Sequence, residues 1–315
     1  MCNDLTLTLT MLAVALRSTP GLFKCGTAPL PIPCCRCLRD LALGLIAIPR
    51  LYNDGLHMSR LHFTQHGAGP VVVLSHALGC DLQMWDGVAA ALQGRYTVLR
   101  YDHRGHGRSP APDGAYRIDD LADDAAAFIR AHADGGPVHF VGLSMGGMTA
   151  QSLAARHPAL VRSITIANSA SHYGEAAQAG WQTRIDTVLA KGMESIADGV
   201  LQRWFTPEFR ADHVHGGSAN VAAMRAVLVA TAAAPYAAAC AAVAYIDLDK
   251  GNRSIACPAL VLAGSRDEAT PPALSQVMAK TIPGAQLASI DAAHLSAVEK
   301  PAEFAHIVGT FLAAH

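Results

Sequence analysis

Phe140-Val-Gly-Leu-Ser-Met-Gly-Gly-Met148 (FVGLSMGGM) closes a run of strand-forming residues and opens a run with helical spacing. Its centre, Gly142-Leu143-Ser144-Met145-Gly146, is G-x-S-x-G. At a strand-to-helix junction this pattern has a physical reading. The chain turns so sharply that the serine backbone is strained and its hydroxyl stands clear of the turn. Glycines on either side leave room where a Cβ would clash. A helix beginning at Met145 aims free N–H groups at any negative charge developing beside the serine. The alternative is a glycine-rich packing turn without chemistry. The strand before, the helix after and the further Gly147 favour Ser144 as a nucleophile.

Working outward, strands and helices alternate. Val71–Ser75 reads as a buried strand, 82–92 as a helix, and 96–101 as a strand ending in the loop DHRGHGRSP. Ile118–His132 has helical spacing, with Leu121, Ala125, Phe128 and Ile129 on one face. Val138–Leu143 is a strand, 145–157 a helix and Val161–Ala167 a strand. Residues 171–253 then read as mostly helical, with little strand signal. After them Ala259–Gly264, 274–282, 285–290 and 304–312 restore strand, helix, strand, helix. The alternation predicts an α/β fold, with a mostly parallel central sheet and helices on both faces. The interruption predicts a helical cap inserted between two strands. The core is then 58–170 with 254–315, and the cap 171–253.

Residues 1–57 read differently. They hold Pro20, Pro29, Pro31, Pro33 and Pro49 and five of the eight cysteines, with no sustained period. We expect this segment to be disordered or non-native, and the functional polypeptide to begin near Met58, where MSRLHFTQHGAG reads as a strand and a glycine turn. The apolar run at 5–16 is too short to span a membrane. Asp4 precedes it with no Lys or Arg, which argues against a secretory signal. CCRC at 34–37 lacks a fourth ligand at zinc spacing, so no metal is expected. Cys80, Cys240 and Cys257 read as reduced thiols, consistent with a cytoplasmic protein. With 24 basic and 25 acidic residues, nothing in the charge balance favours nucleic acid or a membrane surface as a partner.

A serine hydroxyl needs a base. Where a nucleophile sits on such a turn, the order along the chain is serine, acid, histidine. His294, in IDAAHLS, follows the last strand, and loops at strand C-termini gather on one edge of the sheet. Asp267, in ALVLAGSRDEATPP, lies 27 residues earlier, room for one helix and one strand. Glu268 is its neighbour, and the turn position favours Asp267. An oxyanion needs two N–H donors. Met145 supplies one, and the loop SHALG the other, from Leu78 with Ala77 the near alternative. His76, His103, His106, His139 and His157 read as structural, and Arg104 as a brace for its loop.

SHALGCDLQMWD, LRYDHRGHGRSP, FVGLSMGGMTAQ, AGSRDEATPP and DAAHLSAVEKPAEF, in this order, resemble the α/β-hydrolase fold from about Leu61 to the C-terminus. The cap segments WQTRIDTVLAKGMESIADGVLQRWFTPEFR and MRAVLVATAAAPYAAACAAVAYIDL look like those of 3-oxoadipate enol-lactone hydrolases. The resemblance implies a Ser144–His294–Asp267 enzyme of bacterial aromatic catabolism that opens a small lactone through an acyl-enzyme, without a cofactor. The implied substrate carries a carboxylate, for which the cap offers Arg184, Arg203 and Arg225, with Arg184 preferred. Trp85, Trp181, Trp204 and Tyr236 are candidates for the apolar wall. Fold and triad alone do not fix a substrate. A carboxylesterase, a perhydrolase, a carbon–carbon bond hydrolase and a non-catalytic binding module remain as alternatives. A dehalogenase would need a carboxylate in place of Ser144.

Overall fold

The structure is a computed structural model, and it describes residues 61–134 and 136–315. The expectations for residues 1–57 lie outside the described residues. A seven-stranded sheet runs in the order β1-β3-β2-β4-β5-β6-β7. The strands are β1 (Phe63–His66), β2 (Val71–Ser75), β3 (Thr97–Tyr101), β4 (Val138–Leu143), β5 (Val161–Ala167), β6 (Ala259–Gly264) and β7 (Gln286–Ile290). All pairings are parallel except β1 with β3, so the sheet is mostly parallel with one antiparallel edge.

Alternation along each strand feeds two cores, one on each face. On β4, Val138 and Phe140 join one core, while Val141 and Leu143 join the other. Helix α1 (Asp86–Leu92), helix α2 (Ile118–His132) and helix α3 (Met145–Arg156) lie between the first five strands. On α2 the predicted stripe Leu121, Ala125, Phe128 and Ile129 is buried, against the second core at the latter three positions. The helix expected over 82–92 is divided into a 3-10 turn, Leu82–Trp85, and α1. Asp81 caps the turn by accepting the Gln83 N–H, and Asp102 accepts the Leu82 N–H at 2.8 Å, which holds the first turn tighter than an α-helix.

Between β5 and β6 come α4 (Glu175–Lys191), α5 (Glu194–Trp204), α6 (Pro207–Ala211), α7 (Gly217–Ala230), α8 (Ala233–Ala244) and α9 (Asp249–Asn252). The insertion leaves and rejoins the core at one point. His172 pairs with Asp247 in an isolated antiparallel bridge, and the Leu248 N–H donates to the Ser171 carbonyl at 2.9 Å. Helix α9 is tied back to α3, with the Asn252 side chain donating to Gln151 Oε1 at 2.8 Å. Helices α10 (Pro272–Thr281), α11 (Ser296–Glu299) and α12 (Pro301–Ala313) complete the chain. No single helix among the described residues is long and apolar enough to cross a membrane.

Candidate active site

The site is assembled at the C-terminal ends of the strands, where a parallel sheet brings its loops together. Ser144 sits between β4 and α3 with φ 57° and ψ −115°, a strained backbone costing about 1–3 kcal/mol. The surroundings hold it there: the Ser144 N–H donates to the Ala167 carbonyl at 2.9 Å, and the Ser144 carbonyl accepts the Ser169 hydroxyl at 2.8 Å. The two flanking glycines are explained by contact. A Cβ on Gly142 would lie 2.0 Å from the Gly146 carbonyl oxygen, and one on Gly146 would lie 2.0 Å from the Ser75 carbonyl oxygen.

His294 Nε2 lies 3.0 Å from Ser144 Oγ, and His294 Nδ1 lies 2.8 Å from Asp267 Oδ2. One neutral tautomer satisfies both contacts: Nδ1–H donates to the carboxylate and Nε2 accepts the serine O–H. Asp267 and His294 are buried. Asp267 Oδ1 accepts the N–H groups of Ala269 and Thr270, and Oδ2 accepts the Thr270 hydroxyl at 2.7 Å and the Asn168 amide at 2.9 Å. Burial alone would raise this carboxyl. The His294 imidazole and the donors around it outweigh burial and hold it below the usual carboxylate range. Asn168 also donates to the Ala293 carbonyl and accepts the Ser296 hydroxyl at 2.6 Å, so one amide spans the acid and both sides of the histidine. An ionised acid, an imidazole and a hydroxyl in line can draw the proton from the serine and return it to a leaving group.

Ser144 and His294 open on a cavity of about 270 Å³, with Asp267 buried behind the histidine. From the core, Leu78, Ser144, Thr270 and His294 line it; from the cap come Trp181, Arg184, Arg203, Trp204 and Tyr236, among others. Of the two candidates in the SHALG loop, Leu78 lines the cavity, while the Ala77 N–H already donates to the Met84 sulfur at 3.3 Å. Met145 is the first residue of α3, so its N–H has no partner one turn earlier within the helix. Arg184 stacks on Trp181, its guanidinium carbon 4.6 Å from the ring centroid. Burial and the neighbouring Arg184 pull the Arg203 guanidinium below its usual range. Among the described residues neither arginine has a carboxylate in ion-pair contact. Arg225 is placed elsewhere, paired with Glu194 on the surface.

Trp85 corrects one expectation: it does not line the cavity. The 3-10 turn sends its ring into the core, fully buried and edge-on to Phe304 on α12, with centroids 5.7 Å apart. The five histidines read as structural have other partners. His76 accepts the His103 N–H at 2.8 Å, His103 contacts Ser75 Oγ, His106 contacts the Arg104 carbonyl, His139 contacts Ser163 and His157 contacts Asp123. Arg104 makes a two-point pair with Asp124 on α2. Asn168, Thr270 and Glu268 were absent from the expected site. Asn168 directly follows β5 on the active edge, and that position is the signal that could have found it.

The pattern of the alpha/beta hydrolase fold matches residues 70–301. The chain belongs to the α/β-hydrolase fold family. Within this family it is 37% identical over 239 residues to 3-oxoadipate enol-lactonase 2 of Acinetobacter baylyi, spanning 76% of this chain and 87% of that protein. It is 35% identical over 243 residues to 3-oxoadipate enol-lactonase 1 of the same organism, spanning 77% and 88%. The crystal structure of the enol-lactonase from Burkholderia xenovorans superposes with a TM-score of 0.76 at 37% identity, covering 80% of this chain and 96% of that one. This α/β-hydrolase is a hydrolytic enzyme. Among its described residues, no group of His, Cys, Asp and Glu side chains could hold a metal ion.

Proposed function

We propose that this α/β-hydrolase opens 3-oxoadipate enol-lactone to 3-oxoadipate, with Ser144 as nucleophile, His294 as general base and acid, and Asp267 as the carboxylate that orients it. The observation that carries this reading is the shared cavity. It joins the serine and histidine of a serine–histidine–aspartate line to the guanidinium groups of Arg184 and Arg203, which outnumber the one carboxylate on the wall, Glu268, and are not in ion-pair contact with it. Such a cavity suits a small acyl group with a negative charge. Its size, below the roughly 300–1,000 Å³ of sites for drug-sized ligands, argues against long-chain or polymeric esters. The similarity to enol-lactonases supplies the ring.

In the proposed reaction His294 Nε2 takes the Ser144 proton as Oγ bonds to the lactone carbonyl carbon. The main-chain N–H groups of Leu78 and Met145 hold the oxyanion. The ring C–O bond breaks, the enol oxygen takes the proton from His294, and the enol tautomerises to the ketone while the acyl group stays on Ser144. Water then gives a proton to His294 and its oxygen to the acyl carbon, and Ser144 recovers its proton as the product carboxylate leaves. Arg184 holds the substrate carboxylate, with Trp204 and Tyr236 as apolar wall. This chemistry belongs to the β-ketoadipate route of aromatic breakdown in the cytoplasm.

The test is loss of the lactone's ultraviolet absorbance when it is generated in situ, beside a p-nitrophenyl ester control. Lactone turnover well above the ester rate supports the reading, and rapid ester turnover with no lactone loss rejects it. Ser144→Ala is expected to lower kcat by about 10³–10⁶-fold while the protein stays folded. An active Ser144→Ala protein rejects the nucleophile.

A further inference from the structure

Glu299 is a buried carboxylate that the proposed reaction does not use. It ends α11, five residues after His294, and among the described residues it has no cation in ion-pair contact. Its partners are neutral donors on two different parts of the molecule. Oε2 accepts the Ala293 N–H at 3.2 Å, next to His294, and the Thr206 N–H at 3.3 Å, between cap helices α5 and α6. Oε1 accepts the Thr206 hydroxyl. On the other side of His294, the Leu295 N–H donates to the carbonyl of Trp204, which lines the cavity. The histidine loop is therefore fastened to the cap at both of its ends. A carboxylate taken out of water is destabilising until its partners compensate it. An apolar side chain could fill the space at lower cost, but it could not hold three donors in register.

We propose that Glu299 is a positioning residue that locks the His294 loop to the cap, so that the imidazole reaches Ser144 correctly only while the cap is seated. Lifting the cap withdraws Thr206 and Trp204, and the loop loses the contacts that fix the imidazole. The same contacts that close the cavity over a substrate thus complete the base. The proposal rests on His294 as the base, as given under the proposed function.

Steady-state kinetics on p-nitrophenyl acetate, which needs no carboxylate contact, test it with Glu299→Ala, Glu299→Gln, Thr206→Val and Thr206→Ser, and His294→Ala as reference. Glu299→Ala should lower kcat about 10–100-fold, the scale of a misplaced catalytic group, with KM changed less than about twofold. Glutamine keeps one oxygen for both N–H groups and can donate to the Thr206 oxygen, so Glu299→Gln should stay within about threefold of the parent. Thr206→Val, which loosens the cap side alone, should lower kcat about 3–10-fold, and Thr206→Ser should restore it. If Glu299→Ala does not fold, the Thr206 pair decides. A folded Glu299→Ala or Thr206→Val protein with unchanged kcat overturns the proposal, and so does Glu299→Gln as impaired as Glu299→Ala. Full turnover by His294→Ala would instead reject the serine-hydrolase reading.

Discussion

Gly146 has no chemistry, yet the site depends on it as much as on Ser144. A Cβ there would sit 2.0 Å from the Ser75 carbonyl oxygen, a backbone atom fixed in the sheet. We expect Gly146→Ala to destabilise the protein by about 2–4 kcal/mol, seen as a lower urea midpoint, with activity falling as the elbow shifts. Arg184→Ala should act differently. It should raise KM for the carboxylate-bearing lactone and leave kcat and neutral-ester kinetics close to the parent, and unchanged lactone kinetics would dismiss its role. Ser144, Asp267 and His294 were legible because each follows a strand in the order the elbow requires. Asn168, Thr270 and Glu299 were not. Asn168 meets Asp267 across 99 residues of chain and Glu299 meets Thr206 across 93, and no local period encodes such contacts. Trp85 was misplaced for a related reason: its direction is set by Asp102, a residue of another loop, through the Leu82 N–H.

At the scale of elements, the loop after β3 is held from two sides. Asp102, buried, accepts His62 Nδ1–H, the Leu82 N–H and the Arg108 N–H, while Arg104 reaches across to Asp124 on α2. Asp124 is almost fully buried, with a side-chain exposure of 3%, so removing its partner strands a charge. Arg104→Met should cost about 3 kcal/mol in urea unfolding, with kcat within about twofold of the parent because Arg104 does not line the cavity. A variant as stable as the parent would show that the pair contributes nothing. Strands and long helices were readable from period and composition. The 3-10 turn at Leu82–Trp85 was not, because its hydrogen bonds run to Asp81 and Asp102 rather than along a helix. The cap was legible as helical text, but the pairing of Arg184 with Arg203 in one cavity depends on how its helices pack.

At the scale of the whole molecule, three buried histidines, His76, His103 and His106, are kept neutral. Burial is the main cause in each; it pulls His106 down to about 3 and His103 well below its ordinary value, and it lowers His76. The unfolded chain takes up these protons near pH 6.5 while the folded protein does not. Their contribution to stability is therefore fully present above about pH 6.5 and is lost as pH falls below it, for His106 down to about 3, at up to about 1.4 kcal/mol per pH unit for a single histidine. Melting temperature should fall steadily from pH 7 to pH 4, less steeply in His106→Asn, and a flat profile would contradict the assignment. The bridge between His172 and Asp247 has a consequence for the fold's history and its engineering. The neck of the insertion is one peptide pair wide, so everything threaded beyond it is a cassette. A foreign cassette spliced at Tyr173 and Ile246 leaves every strand register untouched, but it has to bring new donors for Glu299 and an acceptor for the Leu295 N–H, because Thr206 and Trp204 leave with the native cap.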